Sequence, residues 1–355
     1  MNISVFGVGH AGSTIAADLS MKGHCVTLCK TSNKLHNEHY AKISETKQLA
    51  IHEGDGVKTA NISIANSIEE AVRGKELLII YIQTNYHQAL IREICCYIED
   101  GQTVLIEPGY LSTCYFLKYC NKDITIIEAE SSPIDCRIIA PGHVKVLFKN
   151  TMNPVGVYPM IKRECAEMVL SQLGYPYEIV SSVVEAALHN PNLIVHTIGA
   201  IFSTPRIEYT AAHGGEYSMY REVFTPHVWN LVLALDSEKM DVLERLGCRR
   251  LSYVEACKLR NSSDDTRDAT EVFFDYANNS SPFGPNVPDS RYVTEDVPEG
   301  LVLLESLGNV LSVATPVCTG LINCASALLQ RSFREEGRTI ERLGQVNLSK
   351  LLADS

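Results

Sequence analysis

The chain has 355 residues, of which 45% are hydrophobic and 21% are charged, as is usual for globular proteins long enough to form two domains. Its formal net charge is −11, and its basic clusters are as short as 248-CRR-250, so a nucleic-acid partner is not expected. The apolar run 77-LLIIYI-82 is far too short to span a bilayer, which argues against a membrane protein.

The 12 cysteines are scattered and form no CxxC pair. Cys25 with Cys29, and Cys95 with Cys96, lack companions at the spacing of a zinc site. The apolar start MNISVFGVGHAGSTI lacks the positive region of an export signal and breaks at once into glycines. The sequence therefore predicts reduced thiols, no bound metal and a cytoplasmic location.

The first predicted elements are a buried strand at 2–6, the glycine turn 7-GVGHAG-12 and a helix. A GxGxxG between a strand and a helix is typical of a dinucleotide site, although a glycine-rich loop without a ligand is the alternative. Gly7 would make the tight turn, Gly9 would let the backbone approach a pyrophosphate, and Gly12 would let the helix pack closely on the strand. The helix N-terminus would direct its partial positive charge at the phosphates. The cofactor-binding residues predicted in this turn are Gly7, Gly9, His10, Ala11 and Gly12.

The second predicted strand, 24–29, ends without the Asp or Glu that usually binds the ribose 2′-hydroxyl of NAD. It is followed by 29-CKTSNK-34, in which Lys30 can pair with a 2′-phosphate and Ser32 can donate a hydrogen bond to it. The sequence therefore predicts that NADP is preferred and that NAD can also bind. The alternative is a solvated lysine turn in a site that binds NAD less selectively.

Further buried strands are predicted at 77–82, 102–106 and 124–129, separated by helices near 67–73, 86–99 and 110–120. Gln83 follows the first of these strands, at the end of the sheet where ligands bind, and we predict that it lies on the nicotinamide side. His87 is interpreted as a helix-start residue without a chemical role. After a helix at 160–174, a last strand at 176–180 closes a Rossmann-type domain of residues 1–181.

Strand signals nearly vanish in the second half of the chain, and helical periodicity replaces them. Helices are predicted at 183–199, 226–247, 300–313 and 316–330. The predicted fold class is α/β, with a Rossmann-type dinucleotide-binding domain followed by an all-helical second domain at 182–355. Dehydrogenases commonly have this plan, but the plan alone does not identify the substrate.

Two polar patterns in the second half carry a family resemblance. The first is HNPN-x-x-x-H, formed by 189-HNPN-192 and His196, and the second is 291-RYVTEDVP-298. Together they resemble the opine dehydrogenases, the octopine/nopaline dehydrogenase family. The resemblance implies that an NAD(P)H-dependent oxidoreductase condenses an amino acid with a 2-oxo acid such as pyruvate. Reduction of the adduct would give an N-(carboxyalkyl) amino acid.

The same resemblance assigns a role to each residue of the two patterns. His196 becomes the catalytic acid or base, with Asn192 as a partner in its site and Asp296 as the residue that orients and charges it. Arg291 becomes the clamp for a substrate carboxylate. Elementary chemistry agrees, because helical spacing puts Asn192 and His196 on one face, imidazole titrates near neutral pH, and arginine binds carboxylates with two parallel hydrogen bonds. The alternative is a satisfied core histidine and a helix-capping asparagine.

The stretch 128-EAESSPIDCR-137 departs from the family pattern at Ile134 and Asp135, where an aromatic residue is usual, so the substrate preference could differ from that of familiar opines. A simple 2-oxo acid or 2-hydroxy acid reductase, of the ketopantoate reductase or glycerol-3-phosphate dehydrogenase type, is the alternative enzyme. Those families use a catalytic lysine, and the segment 183–199 has none. A non-catalytic NADP-binding sensor would need no proton donor. The expected partners are small-molecule substrates, and a homodimer stays open.

Overall fold

The N-terminal strand, glycine turn and helix form where the sequence predicts them. Strand β1 (Asn2–Phe6) leads into helix α1 (His10–Met21), and strand β2 (Cys25–Cys29) runs parallel to β1, with Ile3 beside Val26. In both strands every residue after the first is buried, as expected for parallel strands that are covered on both faces. The structure is a computed structural model, and it describes residues 1–32 and 34–354.

The main sheet has the strand order of a dinucleotide-binding fold. The other strands of the described chain are β3 (Gln48–Glu53), β4 (Gly56–Asn61), β5 (Ser63–Ala65), β6 (Leu77–Ile80), β7 (Thr103–Ile106), β8 (Thr125–Ala129), β9 (Ile134–Ala140), β10 (His143–Lys149), β11 (Asn153–Tyr158) and β12 (Tyr177–Ile179). Within residues 1–32 and 34–354, eight of them form one sheet in the order β12-β11-β8-β7-β6-β1-β2-β5. From β5 to β8 neighbouring strands are parallel, whereas β11 is antiparallel to β8. The reversal of strand order next to β1 places the glycine turn where such sheets bind ligands.

A second sheet, which the sequence analysis did not assign, has the order β4-β3-β10-β9. Strands β3 and β4 form an antiparallel hairpin, and β10 pairs in parallel with β3 and antiparallel with β9. Alternating exposed and buried residues in β10 show that this sheet buries only one face. Its two halves are far apart in the sequence, so no local pattern could indicate that they pair.

The helices of the N-terminal half alternate along the chain with the strands, and the last of them follows β12. They are α2 (Asn37–Thr46), α3 (Ile68–Val72), α4 (His87–Ile94), α5 (Thr113–Tyr119), α6 (Arg163–Leu173) and α7 (Val183–Leu188), with short 3₁₀ turns at Thr84–Tyr86 and Met160–Lys162. Helix α5 begins later than the predicted residue 110, because Tyr110 and Leu111 have φ angles of 49° and 63°. The carboxylate of Glu128 accepts hydrogen bonds from the backbone N–H groups of Leu111 and Thr113 and thereby supports this left-handed turn.

The chain divides into two compact units, and the second consists of helices. The first unit is Met1–Ala187 with the C-terminal residues from Ala353, and the second is Leu188–Leu352. The elements of the second unit are α8 (Asn192–Phe202), α9 (Thr204–His213), α10 (Met219–Glu222), α11 (Pro226–Arg245), α12 (Tyr253–Asn261), α13 (Ala269–Asn279), α14 (Arg291–Thr294), a π-helical segment (Val297–Leu301), α15 (Val302–Leu311), α16 (Pro316–Leu329), α17 (Phe333–Glu336), α18 (Ile340–Leu343) and α19 (Gln345–Ala353). The predicted α/β fold class, with a helical second half, is confirmed.

The single helix predicted at 183–199 is wrong, because the chain breaks between α7 and α8. Pro191 cannot donate a backbone hydrogen bond, so it suits the first turn of a new helix and not the interior of a long one. The side-chain carbonyl of Asn190 accepts from the backbone N–H of Asn192, the first residue of α8, at 2.9 Å. Over residues 1–32 and 34–354, no helix has the length and apolar character needed to cross a bilayer.

Candidate active site

The glycine turn leaves no room for side chains at two of its three glycines. A Cβ atom at Gly7, whose φ is +115°, would lie 2.2 Å from the carbonyl oxygen of Tyr81. A Cβ atom at Gly12 would lie 2.1 Å from the carbonyl oxygen of Gly7. Both contacts are far inside van der Waals distance, so only glycine lets α1 pack this closely on β1 and the end of β6.

Gly9 and the N-terminus of α1 form the face of the turn that suits a pyrophosphate. A Cβ atom at Gly9 would contact only the ring of His36, whose Nε2 would lie 3.6 Å away at ordinary van der Waals distance. Gly9 is the N-cap residue of α1, no side chain caps it, and the first turn contains no acidic residue. Uncapped N–H groups at the start of a helix attract anions, so this cradle fits the phosphates of a dinucleotide.

His10 and Ala11 begin α1, and His10, although exposed, contacts strand β9 through its imidazole. Its Nδ1 accepts a hydrogen bond of 2.8 Å from the backbone N–H of Ile138, which ties the start of α1 to strand β9. Ala11 is half-buried behind it. The side chain of His10 therefore holds the turn in place, although the sequence analysis named it only as a cofactor contact.

The segment after β2 carries Lys30 and Ser32. Lys30 donates from Nζ to the carbonyl of Leu35 at 2.6 Å, and burial lowers the pKa of its amine. Ser32 accepts a hydrogen bond from the backbone N–H of Lys34. The sequence analysis missed His36, which lies beside both Lys30 and the glycine turn and whose pKa is lowered by burial and by the charge of Lys30.

Gln83 and His87 lie near the carboxyl ends of strands β6 and β7. Gln83 is half-buried at the start of the turn Thr84–Tyr86, at the edge of the sheet that the sequence predicted. His87 is fully buried and hydrogen-bonded to Ser112 Oγ at 2.7 Å and to the carbonyl of Ile82 at 3.2 Å. These contacts support the structural interpretation of His87, since it joins the segments that follow the two strands.

Glu107, directly after β7, is a buried acid that the sequence analysis did not single out by chemistry. It is 2% exposed and accepts hydrogen bonds from the hydroxyls of Tyr81 and Tyr177. Burial raises its pKa to about 8, and the hydrogen bond from Tyr177 lowers it by a smaller amount. Burial thus favours the neutral form of the Glu107 carboxyl.

In the second unit, His196 and Asp296 form a buried hydrogen-bonded pair. His196 lies on α8 and is 6% exposed, and Asp296, just before the π-helical segment, is 3% exposed. His196 Nδ1 lies 2.8 Å from Asp296 Oδ2. An ionised carboxylate can only accept, so Nδ1 carries the proton, which leaves Nε2 as the nitrogen with the variable proton.

Tyr292, which is not among the predicted site residues, stacks on the imidazole of His196. The ring centroids of Tyr292 and His196 are 3.6 Å apart, and the ring planes differ by 8°. The signal was present in the sequence, because Tyr292 precedes Asp296 by about one helical turn and shares its face. Together Tyr292 and Asp296 fix both the plane and the rotation of the imidazole ring.

Arg291 and Asn192 are the more exposed members of the predicted set. The side chain of Arg291 is 56% exposed, and its Nη1 lies 3.9 Å from Oε2 of Glu295, whose side chain is 8% exposed. Asn192 is half-buried at the first position of α8 and precedes His196 by one turn. The structure thus brings His196, Asp296 and Tyr292 into direct contact and places Asn192 and Arg291 on the same two segments.

A model of the family described as "NAD/NADP octopine/nopaline dehydrogenase, alpha-helical domain" matches residues 179–329, which include Asn192, His196, Arg291 and Asp296. An "Opine dehydrogenase" from Arthrobacter sp. (strain 1C) is 27% identical over 360 residues, which cover 98% of this chain and 96% of that protein.

Two solved structures share the fold over the whole chain. A structure of octopine dehydrogenase in complex with NADH and agmatine superposes with a TM-score of 0.78 at 15% identity, covering 100% of this chain and 98% of that one. Yersinopine dehydrogenase bound to NADP⁺ superposes with a TM-score of 0.72 at 14% identity, covering 100% and 98%. At these identities the two likenesses establish the fold. Residues 179–329 thus match the helical domain of the octopine/nopaline dehydrogenases, and the chain as a whole is similar in sequence to an opine dehydrogenase.

Proposed function

We propose that this chain condenses an amino acid with a small 2-oxo acid such as pyruvate, using His196 as the acid and base of the reaction. The single observation that carries the proposal is the buried hydrogen bond between His196 Nδ1 and Asp296 Oδ2. Such a pair fixes one imidazole nitrogen and presents the other to the substrate. The substrates and the product are small molecules.

The glycine turn supports the binding of a dinucleotide by the first unit. Gly9 and the uncapped start of α1 would hold the pyrophosphate, and the absence of Cβ atoms at Gly7 and Gly12 makes the close packing of this cradle feasible. The reduced nicotinamide, when bound, supplies the hydride that reduces the adduct. Binding, orientation and proton transfer remain the tasks of the protein side chains.

His196 is proposed to move protons through Nε2. Joining an amine to a carbonyl releases one water, and its hydroxyl leaves readily only when it receives a proton. The proton that this hydroxyl receives is balanced by the proton that the amine nitrogen loses. Hydride addition to the resulting C=N bond then requires one proton at the nitrogen, so the overall reaction consumes one hydride and one proton. Asp296 would stay ionised and stabilise the imidazolium. The ring of Tyr292 would keep the imidazole plane fixed through both steps.

Arg291 is proposed to bind a substrate carboxylate. Both substrates are acids, and a protein of net charge −11 needs a local positive group to accept them. Arg291 is half-exposed and lies on the short helix α14, in the segment that also carries Tyr292 and Asp296. The carboxylate of Glu295 lies 3.9 Å from Nη1 of this guanidinium.

The Arg291→Lys variant is expected to lower kcat/KM by roughly ten- to a hundredfold, about 1.4–2.8 kcal/mol, because lysine keeps the charge but loses the planar fork. Arg291→Ala should lose more. Steady-state kinetics with the oxo acid and the amine varied separately would identify the carboxylate that is held. Arg331→Lys is the matched control, since Arg331 is a similarly exposed arginine paired with Glu336. Unchanged kinetics in Arg291→Ala would remove Arg291 from the site.

We also propose that NADPH is preferred over NADH. Lys30 lies close to the glycine turn, its strand ends without an acidic residue, and His36 adds a second basic group beside Gly9. A 2′-phosphate would compete with the carbonyl of Leu35 for the amine of Lys30. Ser32, in the same segment, would add a hydroxyl donor.

The Lys30→Asp variant is expected to weaken NADPH binding by about one to two powers of ten, because a repulsive charge replaces a charged hydrogen bond. NADH binding should change little. Direct titration of cofactor fluorescence gives both dissociation constants without turnover. Lys58→Asp is the control, since it makes the same charge change on an exposed residue of β4. Equal affinity of the unmodified protein for the two cofactors would contradict the preference.

The proposed reaction is tested with a panel of amino acids and pyruvate while the absorbance of NADPH or NADH is followed. Oxidation of the cofactor that requires both the amine and the oxo acid, with a secondary-amine product identified by mass spectrometry, is the expected result. Oxidation with the oxo acid alone would instead identify a simple reductase.

We further propose a cytoplasmic location. Every cysteine of the described chain is a free thiol, and Cys29, Cys114, Cys136, Cys257 and Cys318 are buried. Thiols in this number persist most readily in a reducing compartment. Cell fractionation would test the proposal, and recovery in an exported fraction would contradict it.

A further inference from the structure

We propose that Arg338 and Glu299 are positioning residues, which hold the π-helical segment Val297–Leu301 so that Asp296 meets His196. The proposal rests on the proposed function of the His196–Asp296 pair. Glu299 belongs to the π-helical segment and Arg338 binds it, so their effect on the reaction would pass through that segment to Asp296.

Asp296 lies directly before an unusual turn of the main chain. Residues Val297–Leu301 are π-helical, and α15 continues from them without a break. π-Helical turns are rare and occur frequently at functional sites, because the extra residue changes the direction of neighbouring side chains. The residue at the start of this turn is the one that binds the imidazole of His196.

Relaxation of the turn would move Asp296. Successive residues of an α-helix are rotated by about 100° around the helix axis. If the π-helical turn became a regular α-helical turn, the residues before it would therefore rotate by about 100° relative to the residues after it. Helix α15 cannot easily rotate, since Val302, Leu303, Leu304 and Leu307 are buried. The rotation would therefore fall on Asp296 and break its 2.8 Å contact with His196.

Arg338 contacts the π-helical segment through both its backbone and its side chain. Its backbone N–H donates to the carbonyl of Pro298 at 2.9 Å, and its guanidinium Nε donates to Oε2 of Glu299. The preceding residue, Gly337, packs so tightly that a Cβ atom there would lie 2.5 Å from the carbonyl oxygen of Pro298 and 2.8 Å from Cβ of Val302. The segment 337–338 thus lies directly against the π turn.

The Arg338–Glu299 ion pair is almost completely buried, and a contribution to folding stability does not by itself explain a charged pair at this position. Arg338 is 0% exposed and Glu299 is 4% exposed. Burial raises the pKa of Glu299, and the charge and hydrogen bond of Arg338 partly offset this increase. Glu295 raises the pKa and Arg342 lowers it, both by smaller amounts. Buried ion pairs are often no more stabilising than apolar side chains of similar size. A role in fixing one backbone geometry accounts for a charged pair at this place.

The test uses the double variant Arg338→Met with Glu299→Gln, which removes both charges of the pair together. Imidazole nitrogens of ¹⁵N-histidine-labelled protein are titrated by NMR, with His196→Ala used for assignment. We expect the midpoint of the His196 titration to move to lower pH and the Nδ1–H tautomer to lose population, because the carboxylate has moved away. The kcat/KM for condensation should fall by roughly ten- to a hundredfold, as expected when a proton donor is no longer well oriented.

Arg334 and Glu305 offer a matched control. They form another arginine–glutamate pair of the second unit, with two hydrogen bonds, but Glu305 lies on α15 beyond the π turn and the pair is partly exposed. The double variant Arg334→Met with Glu305→Gln should leave the His196 titration and kcat/KM within about twofold of the unmodified protein.

Three results separate the outcomes. A folded Arg338/Glu299 double variant with an unchanged His196 titration overturns the positioning role, whether or not the proposed condensation is correct. If the double variant does not fold, Arg338→Lys, which keeps the charge and loses the planar fork, should shift the titration in the same direction by a smaller amount, and no shift overturns the role. If the unmodified protein fails to condense amine and oxo acid, the proposed function is wrong, while the NMR comparison still decides the geometry.

Discussion

The His196→Ala variant is expected to lose roughly two to four powers of ten in kcat, which is the usual contribution of a positioned acid or base. The reason is specific to the site, because His196 is the imidazole held by Asp296 and stacked on Tyr292. Its rate should be compared with that of His213→Ala, which removes an exposed histidine of the same unit whose Nδ1 binds the carbonyl of Tyr209. Only the first variant should be impaired.

The pH dependence and the cofactor affinity complete this prediction. His196 donates a proton in its charged form, so condensation by the unmodified protein should slow as the pH rises through the imidazole titration. His196→Ala should lose this alkaline limb. Its dissociation constant for the cofactor should stay nearly unchanged, because the glycine turn belongs to the first unit. Loss of cofactor binding together with activity would point to a structural histidine instead.

Local patterns in the sequence were sufficient for the dinucleotide-binding part. The strand, the glycine turn and α1 are contiguous, and Gly7 and Gly12 each have a steric reason that a short motif can carry, such as the 2.2 Å approach of a Cβ at Gly7 to the carbonyl of Tyr81. The buried parallel strands also have an unambiguous signature, since β6 and β7 consist wholly of buried residues. Both features could therefore be predicted.

Features that depend on distant pairing could not be predicted in the same way. The second sheet joins β3 to β10, and neither strand is strongly apolar. The break at Pro191 was available from the rule against proline inside helices, but the apolar run on both sides of it masked the break.

The candidate site shows the same division between local and distant signals. Spacing could place Asn192 and His196 on one face, but Asp296 is 100 residues away from His196 and was assigned through the family resemblance. The Arg338–Glu299 pair spans 39 residues, and its charges look in the sequence like those of the partly exposed Arg334–Glu305 pair. Burial distinguishes the two pairs, and burial is a property of the folded chain.

The Asp296→Asn variant is expected to lower kcat by roughly two to four powers of ten while the fold persists, since the two side chains have nearly the same shape. The carboxylate accepts the Nδ1 proton of His196 at 2.8 Å. An amide nitrogen in its place would donate to Nδ1 and favour the opposite tautomer, in which Nε2 carries the proton and Nδ1 does not. The charge that stabilises the imidazolium is also lost, so the variant should be impaired even where the wild-type imidazole is protonated.

Asp289→Asn is the matched control for this substitution, because Asp289 is an exposed aspartate shortly before Arg291 in the same chain segment. It makes the same change of charge and shape, and kcat should stay within about twofold of the unmodified protein. Thermal unfolding should confirm that both variants are folded, and direct titration should show that both bind the cofactor.

The His196 NMR titration of Asp296→Asn then shows whether the proton passes through His196 or through another group. An altered tautomer in Asp296→Asn with kcat preserved would show that the proton passes through a group other than His196, whereas an altered tautomer with kcat lost places the proton transfer at this imidazole.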